Sequence, residues 1–345
     1  MRIAIIGAGL QGNRRAQALI GLPDTELVIV TAKERSSADP LARRMQCDAG
    51  AGWEDVVRRR DIDVVVVCTP PDSHAAITIA ALDAGKHVLC EKPLARTIAE
   101  AETMVAVARE KGLVLKCGFN HRHHPGVMSA KKQFDSGAIG PPIFLRAVYG
   151  ICGRPGYEKE WRADPKITSG GQLMEQGIHV IDLFRWFLGE VEDVTGVVET
   201  SCWPIAPLED NAFVICRAAA GVSASLHSSL TQWKNIFSFE VYGKEGYLAV
   251  EGLGGGYGTE KLTTGKTVFD RPFAYETTEF RGGDLSWKDE WLAFLNAIVS
   301  GAEPIGSGTD GVEALRIVFA AYEAARVGRR IALASSNSRS SSVHV

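Results

Sequence analysis

Met1-Arg2-Ile3-Ala4-Ile5-Ile6-Gly7-Ala8-Gly9-Leu10-Gln11-Gly12 opens the chain, and the reading of this stretch decides the fold. Residues 1–6 are apolar and mostly β-branched except at Arg2, the pattern of a buried strand. Residues 11 to about 20 suit a helix, so a G-x-G-x-x-G lies between strand and helix, as a dinucleotide-binding turn requires. Each glycine has a separate task. Gly7 permits the tight turn, Gly9 lets backbone approach a pyrophosphate, and Gly12 lets the helix lie close to the strand. The helix start at Leu10 and Gln11 offers N–H donors and a partial positive charge to the phosphate.

The whole chain sets bounds around that turn. Its 345 residues predict two domains, and 46% hydrophobic with 23% charged residues is a globular composition. A net charge of −3 provides no basic surface for nucleic acid or a membrane, which leaves small-molecule chemistry as the expectation. No apolar run approaches the roughly 20 residues of a membrane span, and the chain enters its first strand with no room for a signal peptide, so a cytoplasmic location is expected. The seven cysteines are scattered without a C-x-x-C pair and read as reduced core thiols, with no structural zinc expected.

Residues 27–31 read as a second buried parallel strand. The position where an acid would hold a ribose 2′-hydroxyl is Ala32, followed by Lys33, Glu34, Arg35, Ser36 and Ser37. Cations and hydroxyls after a small residue suit a 2′-phosphate, which favours NADP, with NAD the alternative if Glu34 holds the ribose and the cations only solvate a loop. The run Val64-Val65-Val66-Val67-Cys68 stops at Thr69-Pro70-Pro71-Asp72 before a helix over 73–84. In a doubly wound sheet ligands lie outside the carboxyl ends of the strands, so Thr69, Pro70 and His74 are expected to touch the cofactor. Residues 87–90 form another strand ending in Glu91-Lys92-Pro93, which places a lysine at the same crevice. Thr97 and Glu100 form a capping box, and residues 114–117 supply the last strand of this domain.

The set of Gly7 to Gly12, Thr69-Pro70-Pro71 with His74, Glu91-Lys92-Pro93, Gly118-Phe119-Asn120, Gly137-Ala138-Ile139-Gly140, Gly170-Gly171 and residues 291–304 resembles the Gfo/Idh/MocA family of NAD(P)-dependent oxidoreductases. The resemblance implies an N-terminal Rossmann domain, a doubly wound parallel sheet over 1–120. It also implies an α/β domain with a large, open, mostly antiparallel sheet over 121–334, carrying substrate and oligomer contacts. Read independently, the second half has a helix over 125–135 and strand-like runs at 142–149, 191–198, 212–217, 222–230, 237–242 and 247–250. Without intervening helices these read as a meander, with hairpin turns at Ala219-Ala220-Gly221 and Gly243-Lys244-Glu245-Gly246. Helices over 286–300 and 310–327 close the domain, and the serine-rich tail 335–345 is expected to be disordered. A sheet of about five or six strands with helices on one face leaves an apolar face, so a homodimer or homotetramer is expected.

Residues 170–182 read as a turn opening a helix that ends near Gly189, with Glu175, His179 and Asp182 at i, i+4 and i+7 on one face. Hydride transfer requires a group that takes or returns a proton, and histidine suits that work. Family members carry Lys, Asp and His in the active site; Lys92 and His179 match, and the acid here is Glu175. Two metal readings stand beside this, one with Glu175, His179 and Asp182 as ligands and one with His121, His123 and His124. Nicotinamide chemistry needs no metal, and none is expected. Trp161-Arg162, with Tyr157 and Lys159 before it, resembles a pair that borders nicotinamide and substrate in sugar-reducing members; a tryptophan that packs in the core is the alternative. Asn120, Arg122 and His123 follow the last strand of the first domain and are candidates for the substrate side. The resemblance implies hydride transfer between NADP(H) or NAD(H) and a hydroxyl or carbonyl of a sugar, sugar derivative or cyclitol. Glu91, Lys92, Trp161 and Arg162 border the cofactor in that picture. An NAD-retaining glycosidase and a non-catalytic NADP-binding regulator are the other readings.

Overall fold

A computed structural model describes residues 1–269 and 274–334, so the expectation for the tail lies outside the described residues. The first strand, β1 (Arg2–Ile6), is buried from Ile3 onward and lies near the centre of a six-stranded sheet. With β2 (Glu26–Ala32), β3 (Asp48–Ala51), β4 (Val64–Val67), β5 (His87–Cys90) and β6 (Leu115–Cys117), the spatial order is β3-β2-β1-β4-β5-β6. Every pairing is parallel, which explains the unbroken apolar runs: Val64, Val65, Val66 and Val67 are all buried. This order places the switch point between β1 and β4. The helices are α1 (Leu10–Ala18), α2 (Arg35–Met45), α3 (Glu54–Arg58), α4 (His74–Asp83) and α5 (Ile98–Lys111), the last opened by the Thr97/Glu100 capping box.

This first unit comprises Met1–Asn120, Lys166–Ser169 and Ser286–Glu313. The helix Ser286–Ser300 was expected with the second domain. It belongs here because Trp291 and Phe294, 1% and 0% exposed, complete the core made by Ile3, Ile5, Leu41 and Val64.

The second unit, His121–Pro165 and Gly170–Leu285 with the chain after Ala314, holds a nine-stranded sheet. Its strands are β7 (Pro142–Cys152), β8 (Val191–Glu199), β9 (Asn211–Ala218), β10 (Ser223–Ser229), β11 (Thr231–Gly243), β12 (Gly246–Glu251), β13 (Glu260–Lys266), β14 (Tyr275–Phe280) and β15 (Ile331–Ala332). The order β14-β13-β12-β11-β7-β10-β9-β8-β15 corrects the meander, because β7 enters between β10 and β11 and pairs with β10 in parallel. It also corrects the count of five or six. β13 and β14 escape a hydropathy reading because EKLTTGK and YETTEF are mostly polar. Both expected hairpin turns are present, joining β9 to β10 and β11 to β12. The helices α6 (Pro125–Asp135) and α7 (Ile178–Leu188) pack on this sheet, the first against β12 and β13 and the second against β7 and β10. Among the cysteines, Cys90, Cys117 and Cys216 are buried as expected, whereas Cys152 and Cys202 are exposed.

Candidate active site

In the first unit the glycine turn is built as its spacing predicts. Gly7 has φ +108°, and a Cβ there would lie 2.5 Å from the Cys68 carbonyl carbon, so the loops after β1 and β4 touch only because it is glycine. At Gly12 a Cβ would come within 1.9 Å of the Gly7 carbonyl oxygen, whereas at Gly9 it would meet open space. That opening at the start of α1 is room for a ligand. No acidic side chain occupies the first turn of α1, and Asn13 Nδ2 braces the loop by donating to the Ala8 and Gly9 carbonyls at 2.9 Å each. A pyrophosphate therefore fits these residues, with Gly9, Leu10, Gln11 and Gly12 around it. Ala32 ends β2 and Lys33 is exposed just beyond, while Arg35 turns to Asp39 at 3.6 Å.

Thr69 and Pro70 lie just past the end of β4, and the His74 side chain is buried beyond them in the chain. It is 1% exposed, its Nδ1 lies 2.9 Å from the Pro93 carbonyl and its Nε2 2.8 Å from the Thr69 carbonyl. It ties the turn after β4 to the one after β5, and burial holds its pKa below the ordinary value against the pull of the two carbonyls. The Glu91 carboxylate is likewise committed inside the protein. It is buried and accepts from Arg15 Nε at 2.7 Å, and Arg15 also pairs with Glu290, which in turn lies 3.2 Å from Lys116 Nζ. Burial lowers the Arg15 pKa, yet the two carboxylates reverse this and raise it above its ordinary value. This buried quartet anchors α1 and the strand end that carries Lys92. Asn120 is buried as well, its Nδ2 donating to Ser286 Oγ at 2.9 Å.

In the second unit Gly170-Gly171 leads not into one regular helix but into a π-helical turn, Leu173–Gly177, followed by α7. Glu175 is therefore on the wider turn and His179 on the α-helix, which corrects the single-face spacing. Glu209 holds the start of this segment. Its carboxylate accepts from the Gly171 and Leu173 amides at 2.9 Å each and from Tyr322 Oη at 2.8 Å. Burial raises its pKa despite those donors. Both glycines are needed, because a Cβ at Gly170 would lie 2.0 Å from Tyr322 Oη and one at Gly171 2.1 Å from the Glu209 carbonyl oxygen.

His179 is 5% exposed and stacks on His121 with ring centroids 3.8 Å apart and planes 17° from parallel. His121 Nε2 lies 3.1 Å from Tyr149 Oη. Glu175 Oε1 accepts from Arg162 Nε at 3.3 Å, and that guanidinium lies 4.3 Å over the Trp161 ring, so Trp161, Arg162 and Glu175 form one group. Other candidates are accounted for elsewhere. Arg122 makes a buried bidentate pair with Asp182 at 2.8 and 2.6 Å, His124 pairs with Glu260 at 3.0 Å, and His123 is buried. Tyr157 belongs to a core cluster with Ile205, Leu208 and Leu230, where burial raises its hydroxyl pKa. Among the described residues no three metal-ligating side chains converge, so neither metal reading has a geometry to support it.

Residues 1–119 match the family model described as an oxidoreductase family with an NAD-binding Rossmann fold, and residues 127–249 match the GFO/IDH/MocA C-terminal domain. The chain belongs to the Gfo/Idh/MocA family. This Gfo/Idh/MocA oxidoreductase is 30% identical to a levoglucosan dehydrogenase of Pseudarthrobacter phenanthrenivorans over 71% of this chain and 72% of that one. It is 28% identical to an inositol 2-dehydrogenase of Rhizobium meliloti over 97% of this chain and 99% of that one. A solved levoglucosan dehydrogenase in complex with NADH superposes with a TM-score of 0.88 at 26% identity, covering 97% of this chain and 99% of that one. Of the residues that support the candidates, sequence reading does not single out Arg15, Lys116 and Glu290 in the first unit, or Tyr149, Glu209 and Tyr322 in the second. The only local signal was Glu209-Asp210-Asn211, a polar cluster ahead of an apolar strand.

Proposed function

We propose that the protein is an NAD(P)-dependent dehydrogenase or reductase acting on a CH–OH or carbonyl carbon of a sugar, sugar derivative or cyclitol. The observation that carries this reading is His179, a buried imidazole held by the stack on His121 at the junction of the π-turn and α7. His179 takes the hydroxyl proton during oxidation and returns it during reduction. Lys92 donates a hydrogen bond to the reacting oxygen and stabilises charge on it. Glu175 fixes Arg162 against Trp161, and in this reading the three border the substrate and nicotinamide. The bound nicotinamide supplies or accepts the hydride. Ala32 and the exposed Lys33 favour NADP, and the relatives' names, levoglucosan dehydrogenase, 1,5-anhydro-D-fructose reductase and inositol 2-dehydrogenase, support the substrate class.

The test follows nicotinamide absorbance while the protein is incubated with NADP or NAD and a panel of sugars, anhydrosugars and cyclitols. Stoichiometric cofactor reduction by at least one of them is expected. Cleavage of a glycoside with no net change in cofactor would assign the glycosidase reading instead.

A further inference from the structure

Trp233 has φ +53°, a left-handed backbone in which a bulky side chain crowds its own carbonyl. The two other described non-glycine residues with positive φ, Asp24 and Gln46, have local reasons, a turn and a helix C-cap. Trp233 instead sits in β11 where the register with β7 breaks between Thr231 and Ile236. Its side chain is 65% exposed, so burial does not offset the strain. Strained residues of this kind cluster at ligand clamps and other functional sites.

A second, half-buried tryptophan lies beside it, packed on the cluster of Tyr157, Ile205, Leu208 and Leu230. Trp203 lies 6.4 Å away, tilted by 58°. Its Nε1 donates to the Leu230 carbonyl at 3.1 Å, and its ring rests on Gly153, where a Cβ would be 2.3 Å away. Two hydrogen bonds connect this corner to the catalytic segment within the second unit. Asn235 Nδ2 donates to the Gly256 carbonyl at 2.9 Å, and Gln176 Nε2 donates to the hydroxyl of the next residue, Tyr257, at 3.4 Å. Gln176 follows Glu175 on the π-turn.

We propose that Trp233 and Trp203 form an accessory saccharide subsite that takes the second ring of a two-ring substrate whose first ring lies at Glu175 and His179. The electron-rich face of an indole attracts the polarised C–H groups on one side of a pyranose, and the exposed Lys234 beside it offers a donor to hydroxyls. The proposal rests on the sugar reading above and extends it from monosaccharides to glycosides.

The experiment is a fluorescence titration of wild type and Trp233→Phe with glucose, maltose and cellobiose, without cofactor. Maltose or cellobiose should change the emission that distinguishes the two proteins at concentrations where glucose does not. Trp233→Gly, which suits φ +53°, should melt at or above the wild-type Tm and bind the disaccharide roughly tenfold more weakly. No response to either disaccharide would overturn the proposal. So would a lowered Tm for Trp233→Gly, which would make the indole a packing residue, or an altered mass in light scattering, which would make it a subunit contact. Because binding is read without cofactor, the two ideas fail separately: disaccharide binding without any turnover defeats only the functional reading, and monosaccharide turnover without disaccharide binding defeats only the subsite.

Discussion

Lys92 and His179 carry the chemistry in this reading, and each has its own signature. Lys92→Ala should lower kcat by roughly 10²-fold or more with little change in cofactor affinity, because one electrostatic donor to the reacting oxygen is lost. His179→Asn should do likewise and also remove one limb of the pH profile, since that limb reports ionisation of the group that moves the proton. A near wild-type kcat and profile in either variant, measured by steady-state turnover across pH, would remove that residue from the mechanism. The proposed cofactor preference turns on Ala32. A carboxylate there would repel a 2′-phosphate and accept from a ribose hydroxyl, so Ala32→Asp should reverse a preference for NADP over NAD. Isothermal titration with both nucleotides checks it, and tighter NAD binding by the wild type would show that Lys33 does not reach the phosphate.

The elements that hold these residues depend on buried charge. Arg15 on α1, Glu91 after β5, Lys116 on β6 and Glu290 on the helix Ser286–Ser300 are each 4% exposed or less. Removing one member leaves an uncompensated buried charge, so Arg15→Met should cost about 3–5 kcal/mol, read as a shifted urea midpoint. Arg15→Met with Glu91→Gln leaves the Lys116–Glu290 pair intact and should recover part of the loss; an unchanged midpoint in the single variant would show that the quartet contributes nothing. Such networks are the part of the molecule least legible in sequence. The parallel sheet, the glycine turn and the capping box at Thr97 are local patterns of period, spacing and residue type, and they could be read directly. Whether Glu91 faces a nucleotide or an arginine 76 positions earlier is a property of packing. The same holds for Arg122, which follows the expected strand and yet turns to Asp182, and for the stack of His121 on His179.

On the scale of the whole molecule, the large sheet exposes an apolar patch on one face. Val197, Phe213 and Ile215 alternate outward along β8 and β9 and are 50%, 46% and 52% exposed, and Phe144 on β7 adds to the patch. A homodimer or homotetramer that covers this face is expected, and Phe213→Lys with Ile215→Asp should dissociate it. Light scattering at micromolar concentration decides the matter, and a monomer mass for the wild type would sink the expectation. The position of β7 bears on how the protein comes to exist at all. Its partners on either side begin only at Ser223 and Thr231, so the strand leaves the ribosome well before either neighbour has been synthesised. At about 5–20 residues per second that gap lasts several seconds, during which Leu145, Ala147 and Tyr149 have no sheet to enter. The strand that ends up deepest in the sheet is thus the one that spends longest unpaired during synthesis. Misfolding during synthesis is therefore expected to begin at this strand, between the appearance of residue 152 and that of residue 223.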